Sequence, residues 1–220
     1  MCAETVVEHS SRGHFPLAIL AKAPVPGKAK TRLIPALGAE GAAALQAQLI
    51  RHTLATALQA TNASAITLWT ALEHRHPLFV ELAQQTAITL KAQPSGNLGV
   101  RMYHALSAMQ SRGVLIGTDC PMLDAELLRH CQHCLEHADS VFLPAEDGGY
   151  GLVGMRRPSL HPFTDIDWGT SAVMAQTLRR LKQIQWSHTC PSTVWDVDRP
   201  DDLDRLYALD EKFRCGKQHL

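Results

Sequence analysis

The sequence has no excess of either charge: Lys and Arg total 21 and Asp and Glu total 21 over 220 residues. A bulk basic field of the kind that drives non-specific nucleic-acid binding is therefore not expected, although a local basic loop could still hold a nucleotide. No apolar run approaches the ~20 residues of a membrane span, so no membrane partner is expected. The opening stretch MCAETVVEHSSRGHFP lacks a long apolar segment, and no secretory signal is expected there. The six cysteines form no compact framework and read as reduced thiols of a cytoplasmic protein. Internal repeats, low-complexity tracts and linkers are also missing. What remains is a chain with 45% hydrophobic residues, enough for a sizeable core. It is expected to form one domain over residues 15–210, with a frayed polar start at 1–14 and a tail at 211–220.

Short apolar runs alternate with helical patterns. Strands are expected at 17–21, 66–70, 88–92, 114–117, 140–145 and 185–189, and a return strand at 152–155 that could run antiparallel. In the 40–60 stretch, Leu45, Leu49, Thr53 and Ala57 recur every four residues, as in a long amphipathic helix. Further helices are expected at 77–85, 98–110, 124–137, 170–182 and after Pro200, with Asp124 and Thr170 or Ser171 as caps. The alternation implies an α/β fold with a mostly parallel sheet.

The organising stretch is VLIGTDCPMLD, residues 114–124. Its uncharged run reads as a strand buried on both faces, which delivers Asp119 to the carboxyl edge where ligands of such sheets bind. A carboxylate there can hold a divalent cation; the competing role is a turn or capping Asp. After the first strand, residues 22–32 read KAPVPGKAKTR and carry Lys22, Lys28, Lys30 and Arg32 around Gly27. This is not a Walker A loop, yet a rigid basic loop can bind a polyanion through side chains and backbone N–H groups. Arg101, in the first turn after QPSGNLGV, could contact a phosphate, pair with an acid or stay exposed. Glu146 and Asp147 precede Gly148 and Gly149; either acid could accept a proton from a hydroxyl nucleophile, and the same residues also suit an acidic hairpin turn. Trp168 could wall a sugar or base pocket or pack internally. Asp196 and Asp198 alternate across Val197, so an extended chain would send only one of them to a given site. Asp201 and Asp202 sit at the positive end of the last helix and require no further role.

One cluster looks metallic, HCQHCLEH at residues 130–137. Helical geometry puts Cys131 and Cys134 with Leu127, Leu128 and Leu135 on one face and His130, His133 and His137 on the next. The cysteines then read as core residues and the histidines as a solvent-facing stripe. A tetrahedral zinc site would need ligands from a second element.

Taken together, KAPVPGKAKTRL, GNLGVRM, IGTDCPML, PAEDGGYGLVGM and DVDRPDDL resemble the bacterial GT-A-type glycosyltransferases associated with arsenosugar biosynthesis, over residues 17–209. More distantly the pattern is similar to the molybdenum-cofactor, 2-phospholactate and Kdo nucleotidyltransferases. The resemblance implies a GT-A (nucleotide-diphospho-sugar transferase) fold, a doubly covered twisted sheet with nucleotide in its N-terminal half. It implies that Lys22, Gly27, Lys28, Lys30 and Arg32 touch donor phosphates, with Arg101 nearby. It assigns Asp119 to a Mg²⁺ or Mn²⁺ ion, with Asp198, or Asp196 as its fallback, as the second ligand. The chain departs from a full D-x-D motif, because position 117 is Gly.

Three functions share this site. A metal-dependent glycosyltransferase would move a sugar from a nucleotide-diphosphate donor to a small-molecule hydroxyl, with Asp147 or Glu146 as base. A nucleotidyltransferase would pass NMP from an NTP to a phosphorylated small molecule. A non-catalytic protein would bind nucleotide alone. The paired acids and the stronger family match favour the first. Nucleic acid is not an expected partner, and α/β domains of this size often form homodimers.

Overall fold

A computed structural model describes residues 14–214; the expected frayed start lies almost wholly outside them. The apolar runs form β1 (Leu17–Lys22), β2 (Ile66–Ala71), β3 (Thr89–Ala92), β4 (Gly113–Ile116), β5 (Ser140–Pro144), β6 (Tyr150–Met155) and β7 (His188–Thr189). Among the described residues they make one sheet in the order β3-β2-β1-β4-β6-β5-β7. β6 runs antiparallel to both β4 and β5, and the other pairs are parallel. The return strand is therefore antiparallel, and the expected last strand shrinks to two residues beside β5.

Strand alternation builds two core layers. Leu17, Ile19, Leu68, Val114, Ile116, Val141 and Leu143 face one side, and Ala18, Trp69, Leu115, Phe142 and Val153 the other. The helices are α1 (Ile34–Ala60), α2 (Pro77–Thr86), α3 (Leu98–Ser107), α4 (Ala125–Cys134), α5 (Val173–Gln183) and α6 (Asp202–Leu209). α1, α2 and α4 pack on the first face through Ile50, Leu54, Phe79, Leu82 and Leu128. α3 and α5 cover the second through Met102, Leu106 and Leu181. Full burial of each such side chain is worth roughly 1.5–3 kcal/mol.

α1 begins before the expected position, with Gly38 non-helical (φ 70°) between a short lead-in and the main helix. By length and composition residues 31–60 could cross a membrane, contrary to the reading of the sequence, because Ala-rich turns raise the average. In the fold, Leu45 and Leu49 instead join Trp195, Val197, Leu203, Leu206 and Phe213 in a third core cluster. Phe213 is fully buried, so packed structure continues past residue 210.

Asp124 caps α4, accepting from the Leu127 N–H at 2.7 Å. No side chain caps α5 in this way. Thr170 Oγ1 instead donates to the Asp167 carbonyl and accepts from the Ala172 N–H, a local turn that competes with helix capping. In α4, Cys131 is buried, Cys134 half-buried, and His130 and His133 are exposed, as is His137 in the turn after the helix.

Candidate functional site

The carboxyl ends of β1, β2, β4 and β5 and the start of β6 open into one cleft of about 650 Å³. Its walls include Lys22, Lys28, Lys30, Arg32 and Arg101, and the acids Asp119, Asp147, Asp196 and Asp198. Gln46, fully inside α1, fixes the floor: its amide donates to the Lys22 carbonyl and to Thr118 Oγ1, each at 3.2 Å. Nothing in the sequence beyond a polar residue on an apolar helix face signals this role.

The basic loop is shaped by its backbone. Lys28 and Ala29 N–H groups both donate to the Val25 carbonyl, and Gly27 supplies the positive φ (75°) of that turn. Gly27 lies at the bend and is not on the cleft wall. Lys30 is also left-handed (φ 48°), which turns its side chain inward. Only 6% of that side chain is exposed. Its ammonium donates to Asp119 Oδ1 at 2.6 Å and to the Val197 carbonyl. Arg32 makes a short ion pair with Asp198, which holds the guanidinium pKa above its ordinary value. Arg101 Nε donates to the Gly96 carbonyl at 3.0 Å, leaving the guanidinium at the cleft rim.

Asp196 and Asp198 both face the cleft, correcting the expectation that one would turn away. Residues 195–198 lie outside the strands, so two-residue alternation does not govern them. Val194 N–H donates to the Pro144 carbonyl and Val197 N–H to the Asp119 carbonyl, each at 2.8 Å; these bonds pin the segment across the cleft. Asp202 Oδ2 accepts the N–H groups of Asp198 and Arg199 at 2.9 and 2.6 Å. Asp202 thus has a role that the sequence reading did not give it. Burial first, and then the charges of Asp147, Asp119 and Asp198, push the Asp196 carboxyl up to about 6.

The two candidate bases separate. Glu146 is turned from the cleft into a bidentate pair with Arg205 at 2.8 and 3.0 Å. That pairing holds its carboxyl below the usual range, so Glu146 does not fit the role of base. Asp147 lines the cleft and accepts from the Gly149 N–H at 2.8 Å; among the described residues it has no ion pair. The turn is tight because Gly148 (φ 90°) lies against Ser171, where a Cβ would sit 2.2 Å from the Ser171 carbonyl oxygen. The segment is thus a hairpin turn that also forms a wall of the cleft. Trp168 lines the cleft and also packs against Tyr150 and Phe163. Gly99 admits it, since a Cβ there would stand 2.8 Å from the indole. Cys120 is buried beside Asp119, and desolvation first, then that charge, raises its thiol pKa, which makes it a poor nucleophile.

Four carboxylates offer only hard oxygen donors, the chemistry that suits Mg²⁺ or Mn²⁺. The mutual repulsion expressed at Asp196 is what a divalent cation would relieve. The acids share the cleft without converging, however. Among the described residues, three or more potential ligands have donor atoms within 4.8 Å of one another only at His133, Glu136 and His137. Lys30 and Arg32 hold two of the cleft acids, so a cation on Asp119 or Asp198 would have to displace them.

A parallel-dominated sheet with a charged cleft at its carboxyl edge and one antiparallel strand defines an α/β fold of the GT-A, nucleotide-diphospho-sugar transferase type. A provisionally named nucleotide-diphospho-sugar transferase from Desulfovibrio desulfuricans G20 superposes with a TM-score of 0.79 at 28% identity, covering 91% of this chain and 90% of that one. CMP:2-keto-3-deoxy-manno-octonic acid synthetase bound to CTP has the same fold at a TM-score of 0.57 and 14% identity, over 91% and 99% of the two chains. So does molybdopterin-guanine dinucleotide biosynthesis protein A from Archaeoglobus fulgidus, at 0.51 and 13%, over 89% and 99%. The chain belongs to the family described as "Uncharacterized protein conserved in bacteria (DUF2064)", whose model matches residues 53–170. No curated protein sequence matches it.

Proposed function

We propose that the protein is a glycosyltransferase that moves a sugar from a nucleotide-diphosphate donor to the hydroxyl of a small molecule. The observation that carries this reading is the division of labour among the cleft acids. Asp119 and Asp198 are matched to cations of the β1 loop, whereas Asp147 faces the cleft with a single backbone N–H partner. A hydroxyl acceptor benefits from such a base; an ionised phosphate acceptor does not need one. The likeness to the Desulfovibrio protein supports the same choice.

In this reading Lys22, Lys28, Lys30 and Arg32 bind the donor diphosphate, and Arg101 approaches it from the rim of α3. Lys30 and Arg32 exchange their carboxylate partners for phosphate oxygens as the donor enters, which frees Asp119 and Asp198 for the cation. Asp119, Asp198 and Asp196 would hold Mg²⁺ or Mn²⁺, which neutralises charge on a departing diphosphate. Asp147 takes the acceptor proton while its Gly149 hydrogen bond fixes its direction. The basic side chains act on the charge that builds on the diphosphate as its bond to the anomeric carbon breaks and the acceptor oxygen takes its place. The association with arsenosugar biosynthesis, the cytoplasmic location and a homodimer rest on the sequence alone.

The second reading is nucleotidyl transfer from an NTP to a phosphorylated acceptor, favoured by the fold shared with CMP:2-keto-3-deoxy-manno-octonic acid synthetase. A panel of nucleotide sugars and NTPs with Mn²⁺ separates the two. Nucleotide-sugar hydrolysis, or protection against melting by nucleotide sugars, is the expected result. Protection by NTPs alone, with pyrophosphate release, would establish the second reading instead. Binding without turnover in either case would leave a nucleotide-binding protein.

A further inference from the structure

The end of α4 carries a cluster that the cleft does not use. α4 starts next to the cleft, just past Asp119, and runs back along β4, so its last turn lies at the opposite edge of the sheet. There His133 Nδ1 stands 3.3 Å from Glu136 Oε2, and the rings of His133 and His137 are 5.9 Å apart between centroids. One donor atom from each of His133, Glu136 and His137 falls within 4.8 Å of the other two.

The cluster is built on fixed backbone. Glu136 N–H donates to the His133 carbonyl at 2.9 Å and His137 N–H to the Cys134 carbonyl at 3.1 Å. Leu135, between them, is fully buried, and its carbonyl accepts from Arg156 Nε at 3.0 Å. Arg112 binds the other oxygen of Glu136, Oε1, at 2.9 Å. It thereby orients the carboxylate so that Oε2 faces the histidines, the arrangement by which outer partners tune metal ligands. The helix C-terminus adds partial negative charge where a cation would sit. Cys134 is not part of the set, since its thiol leans on His130 at 3.9 Å.

We propose that His133, Glu136 and His137 form a surface site for one borderline divalent transition-metal ion, of which Zn²⁺ is the type. Two imidazoles and one carboxylate select zinc, copper and nickel over magnesium and calcium. All three ligands come from one helix end, so at least one coordination position stays open to water or a second molecule. The site needs neither the cysteines nor a second element, and it is independent of the cleft acids.

The test is zinc titration of untagged full-length protein by calorimetry, in the presence of excess Mg²⁺. One zinc per chain is expected. Affinity should fall at least about tenfold in His137→Ala, the scale at which even outer partners of metal ligands matter, and further in the His133→Ala/His137→Ala pair. Asp119→Ala should bind zinc as the parent does. Both histidines are exposed, so the circular dichroism spectrum should not change; His133→Gln/His137→Gln serves if the alanine pair misfolds. Parental zinc affinity in the double variant, loss of binding in Asp119→Ala, or no zinc bound by the parent would overturn the proposal.

Discussion

Asp119 and Asp147 reach one cleft by opposite routes. Asp119 follows the carboxyl end of β4 and meets Lys30, a lysine with 6% of its side chain exposed. Asp147 occupies the turn before the antiparallel β6 and meets the Gly149 N–H. A carboxylate against an ammonium holds its charge and can trade one cation for another. A carboxylate with one neutral donor keeps lone pairs directed at the cleft and can take a proton. The difference in partners, more than the difference in strand, is what the proposed function uses to tell a binding acid from a chemical one. Glu146 makes the same point in reverse: adjacent in sequence and identical in charge type, it is spent on Arg205.

The largest effect should come from Asp147→Asn, which keeps the shape and removes the basicity. Transfer should fall by about 10²–10⁴-fold, the usual share of a general base, with donor affinity unchanged; an active variant would erase the distinction from Asp119. Gly148→Ala attacks the same turn through its backbone. A Cβ at φ 90° and 2.2 Å from the Ser171 carbonyl should lower stability by about 1–3 kcal/mol, read as a fall of several degrees in Tm. An unchanged Tm would mean that the segment around Ser171 yields, so that Asp147 is less firmly placed than the contact suggests.

Asp196→Asn sharpens the comparison from the buried side. Asp196 rises from 3.8 to about 6 on folding, so the folded state favours its protonated form. That contribution is present below about pH 4 and is lost as pH rises through about 6. Discounted for solvent screening, it amounts to about 1 kcal/mol. The variant should therefore melt higher than the parent at pH 7 in EDTA and match it at pH 4. Equal Tm at both values would mean that the acids of the cleft do not strain one another. Glu146→Ala should do least: transfer and donor affinity should both stay within about twofold, because an exposed ion pair contributes little. A large loss there would return Glu146 to the chemistry.

Periodicity made the sheet and its covering helices legible, since Val114, Leu115 and Ile116 can only be buried on both faces and α1 repeats its leucines at helical spacing. Asp119, the basic loop and Asp147 were legible because strand ends and glycines mark the carboxyl edge. Pairing was not. That Lys30 turns inward depends on a left-handed backbone, and that Glu146 turns outward depends on Arg205, fifty-nine residues away. Asp196 defied its two-residue alternation because hydrogen bonds to Pro144 and Asp119, rather than strand geometry, set its segment. The cluster at the end of α4 was read by face alone, which misses a glutamate brought round by the turn after the helix.

In the proposed function, Asp119 belongs to donor binding and Asp147 to proton transfer. Melting of Asp119→Ala and Asp147→Asn, each with a nucleotide sugar and Mn²⁺, tests it most directly. The donor should raise the Tm of Asp147→Asn as it does the parent's and leave that of Asp119→Ala unmoved. Equal protection of both variants, or protection of neither, would contradict it.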